Sequence, residues 1–416
     1  MKFQGARTAS SWYPWIALAL LWAVSFVNQS NRSILVATMP AIRDEFALSA
    51  TQLALLNSVF MWTYGAAAVF AGMLGDSMSR SKLIILGLIA WSLVTGVVPL
   101  ATSFTVLLLM RSLVGLTEST YYPAGTALLA DWFPINKRSR TLALHQTATA
   151  AGAGIGAIVA AAIADQMGWR APFYVFGVLG LILAVVLVAY LRDKAPIMPM
   201  SVRQRIPIAA VLRNVPALYL CGVFFFANGA VTGTAVWAPT FVHDALGFNL
   251  AGSSLYGSAP IYLAGFVIMP LGGLLGDWMM MRTPVGRLLV LAGGLLVAAV
   301  FLFPIGIAAS GMMVAFLLLV SSGGKGLFDG CIYAAMQDVV QVEARASAVG
   351  LMTALGFLGA GLAPLMVAQI GSVLGMRAGM TSLAGLYVAA IVLLLLSLKS
   401  TKQLVLGMAS QAEQGS

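Results

Sequence analysis

The sequence predicts an all-α polytopic membrane protein, with twelve transmembrane helices arranged as two six-helix pseudo-repeats. Composition, a succession of long apolar runs, and matching polar connections in the two halves predict it. Of 416 residues, 60% are hydrophobic and only 9% charged, and the mean hydropathy is +0.95. A water-soluble domain carries about a quarter charged residues to cover its surface. A helix needs roughly 20 apolar residues to cross the hydrocarbon core, and the chain offers such runs in succession, joined by short polar turns. Only helices or closed barrels satisfy every backbone polar group in lipid, and unbroken runs of this length are not the alternating strands of a barrel.

In chain order the expected spans are 14–39, 51–74, 83–101, 103–129, 141–164 and 171–191, then 215–242, 252–276, 288–309, 311–337, 346–372 and 376–398. The first run is too long for the apolar region of a signal peptide and carries Arg32, so it reads as a span and not as a cleaved leader. The polar stretch 192–214 holds Pro196, Pro199 and Pro207 and divides the spans six and six. The expected organisation is therefore an N-terminal half over 1–191, a cytoplasmic linker over 192–214, and a C-terminal half with a short tail over 215–416.

A formal charge of +10 raises nucleic acid as a partner, but the placement of the charge excludes it. Seventeen of the 23 Lys and Arg residues fall in alternate connections or the termini, three (Arg43, Arg170, Arg377) fall in the opposite connections, and three lie within spans. That is the positive-inside pattern, so the basic connections are orientation signals. The expected location is the inner (cytoplasmic) membrane, multi-pass, with both termini cytoplasmic and the lipid bilayer as solvent. Cys221 and Cys331 sit inside apolar runs and read as small core residues. The sequence holds no catalytic triad, metal-ligand cluster or nucleotide motif, so neither an enzyme nor a cofactor is expected.

The halves resemble each other. Gly72-Met-Leu74-Gly75-Asp76 is followed by Arg80 and Lys82, and Gly273-Leu-Leu275-Gly276-Asp277 by Arg282 and Arg287. Asp131 precedes Arg138 by seven residues, and Asp338 precedes Arg345 by seven. Parallel repeats of this kind place a binding site between the halves near the midplane. The acids and arginines at these helix ends serve either as an interlock between the halves or as helix caps and topology signals.

A charge inside a span costs about 2.5 to 3.5 kcal/mol even on lenient scales, so each one is a functional candidate. Five are present: Arg32, Arg111, Glu118, Lys325 and Asp329, with His145 near the start of the fifth span. At 1.5 Å per residue, Arg32 and Arg111 lie about 10 and 12 Å below the same membrane edge. Two guanidinium groups at one depth make a natural clamp for a carboxylate. The competing reading has Arg32 snorkelling to the headgroups. Glu118 follows Arg111 by two turns, and a buried carboxylate that can change charge is what proton coupling needs; a permanent ion pair is the alternative. Registering Asp131 on Asp338 places Lys325 opposite Glu118, while Lys325 and Asp329, at i and i+4, can also neutralise each other. The five charges sum to +1, which favours an anionic guest.

The Gly72-to-Lys82 connection resembles the loop signature of the major facilitator superfamily, with Ser77 and Ser79 replacing the usual Arg and Gly. The segment Arg111-Ser-Leu-Val-Gly115-Leu-Thr-Glu118-Ser-Thr-Tyr121-Tyr122-Pro123, with Asp131-Trp132-Phe133-Pro134 and Gly168-Trp169-Arg170, resembles the anion:cation symporter family of sugar-acid symporters, sialin and vesicular glutamate transporters. The resemblance implies secondary active transport by alternating access: proton-coupled symport of a small organic anion, a carboxylate or sugar acid, with a monomer as the functional unit. It implies substrate contacts at Arg32, Arg111 and Tyr64, joined by Lys325 from the residue reading, and proton coupling at Glu118. Sugar-acid members carry Asp before the first-span arginine, where this chain has Asn31; one proton per anion is then the simpler expectation, with Asp329 a candidate second site. The conformational loops would use Asp76, Arg80, Asp131, Arg138 and Asp277. Spinster-like facilitators share the Arg and Glu pattern, so export of an amphipathic lipid or drug is the second expectation.

Overall fold

The computed structural model describes residues 12–133, 135–193, 211–340 and 345–414; within those helices some side chains, including those of 72–77 and 135–140, lie outside the description. The N-terminal half comprises α1 (Tyr13–Phe46), α2 (Ala50–Ser77), α3 (Arg80–Val97), α4 (Phe104–Glu118), α5 (Tyr121–Trp132), α6 (Ile135–Met167) and α7 (Ala171–Tyr190). The C-terminal half comprises α8 (Val215–Leu246), α9 (Leu250–Gly257), α10 (Ala259–Met280), α11 (Gly286–Leu302), α12 (Gly311–Asp338), α13 (Arg345–Leu374) and α14 (Met376–Gln414). The pairs α4 with α5 and α9 with α10 each make one interrupted crossing, which gives the twelve spans the sequence predicts.

Two spans expected to be continuous are broken. α4 stops at Glu118 and α5 starts at Tyr121. Pro123 accounts for the break, because its ring clashes with the carbonyl four residues back, that of Ser119. The hydroxyls of Ser119 and Thr120 turn back onto the carbonyls of Leu116 and Thr117 at 2.8 Å each. The second break, at Ser258, is followed by Pro260 in the same way. Spans one and twelve run longer than expected, to Phe46 and Gln414, because polar residues past the apolar run continue the helix into water.

Among the described residues, nine helical stretches are long and apolar enough to cross a membrane by length and composition alone. α1, α2 and the α4–α5 crossing are not among them. α1 carries the polar run Asn28-Gln29-Ser30-Asn31-Arg32-Ser33 at its middle. α1, with that polar run, is one of the helices that build the polar centre described below.

The repeat is visible in the ion pairs of the basic face, the face on which the Lys- and Arg-rich connections lie. Arg80 at the start of α3 binds Asp131 at the end of α5, a separation of 51 residues. Arg287 at the start of α11 binds Asp338 at the end of α12 at 2.5 Å, also 51 residues apart, and reaches Asp277 at 2.6 Å. The structural counterpart of Arg80 is therefore Arg287, while Arg282 stacks on Trp278 with its guanidinium 3.8 Å from the ring centre. Each of these pairs closes within one half, so in this conformation they brace a half internally and do not interlock the two. The side chains of Asp76 and Arg138 lie outside the described residues.

The halves are bridged at the opposite, distal face. Arg43 at the end of α1 pairs with Asp244 at the end of α8 through both carboxylate oxygens. Asp165 near the end of α6 accepts hydrogen bonds from the Leu250 and Ala251 amides of α9, at 3.0 and 2.9 Å. A carboxylate from one half thus caps a helix of the other, where the helix dipole favours negative charge. Losing such a cap costs about 1 kcal/mol, about fivefold in an equilibrium. Asp165→Ala is therefore expected to raise severalfold the labelling of Val36→Cys by an impermeant maleimide from the distal side. Unchanged labelling would show that Asp165 does not hold this face shut.

Within the N-terminal half, the Gly168-Trp169-Arg170 turn clamps the end of α1. Gly168 adopts φ +82°, a backbone that glycine takes without strain. Arg170 grips Glu45 with two bonds of 2.7 and 2.6 Å, and the Trp169 indole donates to the same carboxylate at 2.6 Å. Arg170, then Trp169, holds the Glu45 carboxyl below the usual carboxylate range. A depressed folded value means the clamp stabilises fully above the ordinary carboxylate pKa, about 4.3, and is lost as pH falls through the lower folded value. Glu45→Gln is expected to lower Tm slightly at neutral pH and to match the parent in strong acid; a pH-independent difference would contradict this.

Candidate functional site

α1, α2, α3 and α4 converge near the middle of the N-terminal half. Glu118, the last residue of α4, is fully buried. Its Oε2 accepts from Arg32 Nε at 2.8 Å and its Oε1 from Asn31 Nδ2 at 2.9 Å. Asn31 also donates to Thr95 Oγ1 of α3 at 2.8 Å. The amide at position 31 therefore acts as a donor to the carboxylate, a role an ionised Asp there could not fill. The break after Glu118 ends α4 at this point and leaves the carboxylate at the helix terminus facing α1.

Arg111 is 2% exposed and its Nε points at the Leu56 carbonyl of α2, 3.5 Å away. Between the two arginines stands Phe60. The Arg111 guanidinium lies 4.6 Å and the Arg32 guanidinium 5.1 Å from its ring centre, and Arg32 also lies 4.3 Å from the Tyr64 ring. An aromatic face attracts a desolvated cation, so Phe60 and Tyr64 hold two like charges in one buried cluster with Glu118. Gly115 makes this possible: a Cβ there would lie 2.7 Å from the Phe60 carbonyl and closer still to Thr63 Oγ1. With no side chain, α4 sits directly on α2 between Arg111 and Glu118.

A cavity of about 210 Å³ opens beside this cluster between the halves. Arg32, Gln29, Asn57 and Met61 line it from one half, and Val231, Ser258 and Tyr262 from the other. The Asn57 side chain is 3% exposed, and its Nδ2 has no hydrogen-bond partner in the protein. A buried amide donor left unpaired is costly, and Asn57 lies in the cavity lining beside Arg32.

The structure thus brings Arg32, Arg111, Tyr64 and Glu118 together, but of these Arg32 alone lines the cavity. Lys325 and Asp329 stand apart. Lys325 Nζ donates to Asp329 Oδ1 at 2.5 Å along α12, 5.0 Å from the Phe328 ring, and neither residue lines the cavity. The self-paired alternative is the arrangement present. His145 is taken up by Tyr121 at 2.7 Å. Sequence reasoning missed Phe60, Asn57 and Gln29; Phe60 was within reach, since it precedes Tyr64 by one helical turn.

A model of the Major Facilitator Superfamily matches residues 21–364 of the chain. The chain belongs to that superfamily. It is a membrane transporter and not an enzyme. A hexuronate transporter of Bacillus subtilis is 26% identical over 376 residues, covering 86% of this chain and 89% of that protein. A probable L-galactonate transporter of Escherichia coli is 27% identical over 380 residues, covering 85% and 82%. Protein spinster homolog 1 of Homo sapiens is 30% identical over 336 residues, covering 74% of this chain and 63% of that protein. In structure, a bacterial homologue of the human lysosomal transporter Spinster, in an inward-facing and occupied conformation, superposes with a TM-score of 0.83 at 19% identity, over 94% of this chain and 97% of that one. That likeness establishes the fold of this transporter.

Proposed function

We propose that this transporter carries a small organic anion in symport with one proton, and that Glu118 takes the proton. The observation that carries the proposal is the Arg32–Glu118 ion pair beside the cavity. Arg32 is the cation best placed to bind an anion, and an internal carboxylate holds it. An incoming carboxylate can take that place only once Glu118 has lost its charge, because two carboxylates on one guanidinium repel. Protonation of Glu118 and anion binding are therefore linked. Arg32, Arg111 and Glu118 sum to +1, which attracts an anion, and Asn57 offers it an amide donor.

Release reverses the exchange. When Glu118 gives up its proton, it competes for Arg32 and displaces the anion; the re-formed pair lets the empty transporter return. Asn31 cannot ionise and Asp329 is neutralised by Lys325, so we assign one proton per anion. The relatives named for hexuronate and L-galactonate support an acidic sugar or similar carboxylate as the guest. A thermal-shift screen tests the class, since a ligand that binds the folded state raises its stability. Glucuronate and related acids are expected to raise Tm in the parent and not in Arg32→Ala. Stabilisation by hydrophobic cations alone would overturn the anion reading.

A further inference from the structure

Behind Tyr262 lies a second chamber of about 460 Å³, between α1, α6 and α10. Its volume falls within the roughly 300–1,000 Å³ of ordinary ligand sites. Trp22, Ala151, Gly154, Ile155, Leu263 and Phe266 line it, and the Trp22 indole N–H is already committed to Thr147 Oγ1 at 2.9 Å. The chamber is therefore apolar. Small residues shape it: a Cβ at Gly154 would sit 3.7 Å from Tyr262 Cβ, in ordinary van der Waals contact. Ile155, Leu263 and Phe266 are each half exposed or more, so its outer wall faces the hydrocarbon.

Tyr262 lines both this chamber and the cavity that holds Arg32 and Asn57. The two spaces are neighbours across one side chain, one polar and cationic, the other apolar. We propose that the site also accepts amphipathic anions: the carboxylate binds at Arg32 and Asn57, and an alkyl or aryl tail passes Tyr262 into the chamber between α6 and α10. The inference rests on the anion reading above and extends it from acidic sugars to carboxylates with an apolar tail. The occupant is the guest's own tail and not a separate lipid, because the chamber adjoins the cavity lined by Arg32 and Asn57. α6 and α10 belong to opposite halves, so the tail is held between the parts that move.

The test is equilibrium binding of butyrate, hexanoate, octanoate and glucuronate to the protein in nanodiscs, with partition into empty nanodiscs subtracted. Each buried methylene is expected to raise affinity about three- to fourfold, roughly 100-fold from butyrate to octanoate. Gly154→Leu and Ala151→Leu fill the chamber and are expected to collapse the octanoate-to-butyrate ratio; the second variant stands in where the first fails to fold. Equal affinity for butyrate and octanoate in the parent would overturn the tail site while leaving the anion reading intact. So would an octanoate gain that survives both filling variants, or one that survives Arg32→Ala. Binding of no carboxylate at all, glucuronate included, would bring down the anion reading itself.

Discussion

Glu118→Gln is expected to bind the anion more tightly and to transport it without response to a proton gradient. Glutamine keeps the shape of the side chain and an oxygen that can accept from Arg32, but it carries no charge. A hydrogen bond to a charged group contributes about 1.5–3 kcal/mol, so removing the internal competitor is expected to raise affinity about tenfold or more. In proteoliposomes the parent should accumulate the anion when protons flow inward with it, whereas the variant should only equilibrate it. Higher affinity together with lost coupling distinguishes this account from simple damage to the site, which would lower both. Proton-driven accumulation by the variant would remove Glu118 from the coupling role.

Arg32→Ala has the largest expected effect on stability as well as on binding. It leaves the fully buried Glu118 carboxylate without its nearest cation, and breaking a buried pair in this way costs about 3–5 kcal/mol. Removing both partners leaves no orphaned carboxylate, and the buried Arg111 keeps the Phe60 ring beside it. The double variant Arg32→Ala/Glu118→Ala is therefore expected to be more stable than Arg32→Ala alone, a coupling that a double-mutant cycle reads directly. Additive losses would show that the two side chains do not depend on each other. Neither variant should bind the anion.

The sequence made the architecture legible because lipid imposes a simple rule: long apolar runs must be helices, and the basic residues between them mark one side. The repeat was legible in Asp131 and Asp338, and the structure sharpened it by pairing Arg80 and Arg287 with them across equal separations. Arg32, Arg111 and Glu118 stood out because charge within a span is rare. Their arrangement did not follow. Matching depth put the two arginines side by side as a clamp; the structure interposes Phe60 and gives Arg32 to Glu118. Depth along an axis says nothing about rotation around it, and packing at Gly115 decides that rotation. The break after Glu118 was not read from Pro123, because an apolar run can hide a proline-induced interruption. Asn57 and the chamber behind Tyr262 were out of reach, since a cavity is defined by helices distant in sequence. The same holds for the cap that Asp165 places on α9.

The most direct test of the coupling claim is proton uptake on ligand binding, followed in weakly buffered solution near neutral pH as glucuronate or octanoate is added to the purified transporter. The account predicts about one proton taken up per anion bound by the parent and none by Glu118→Gln, although the variant binds. Anion binding by the parent with no proton uptake would contradict it.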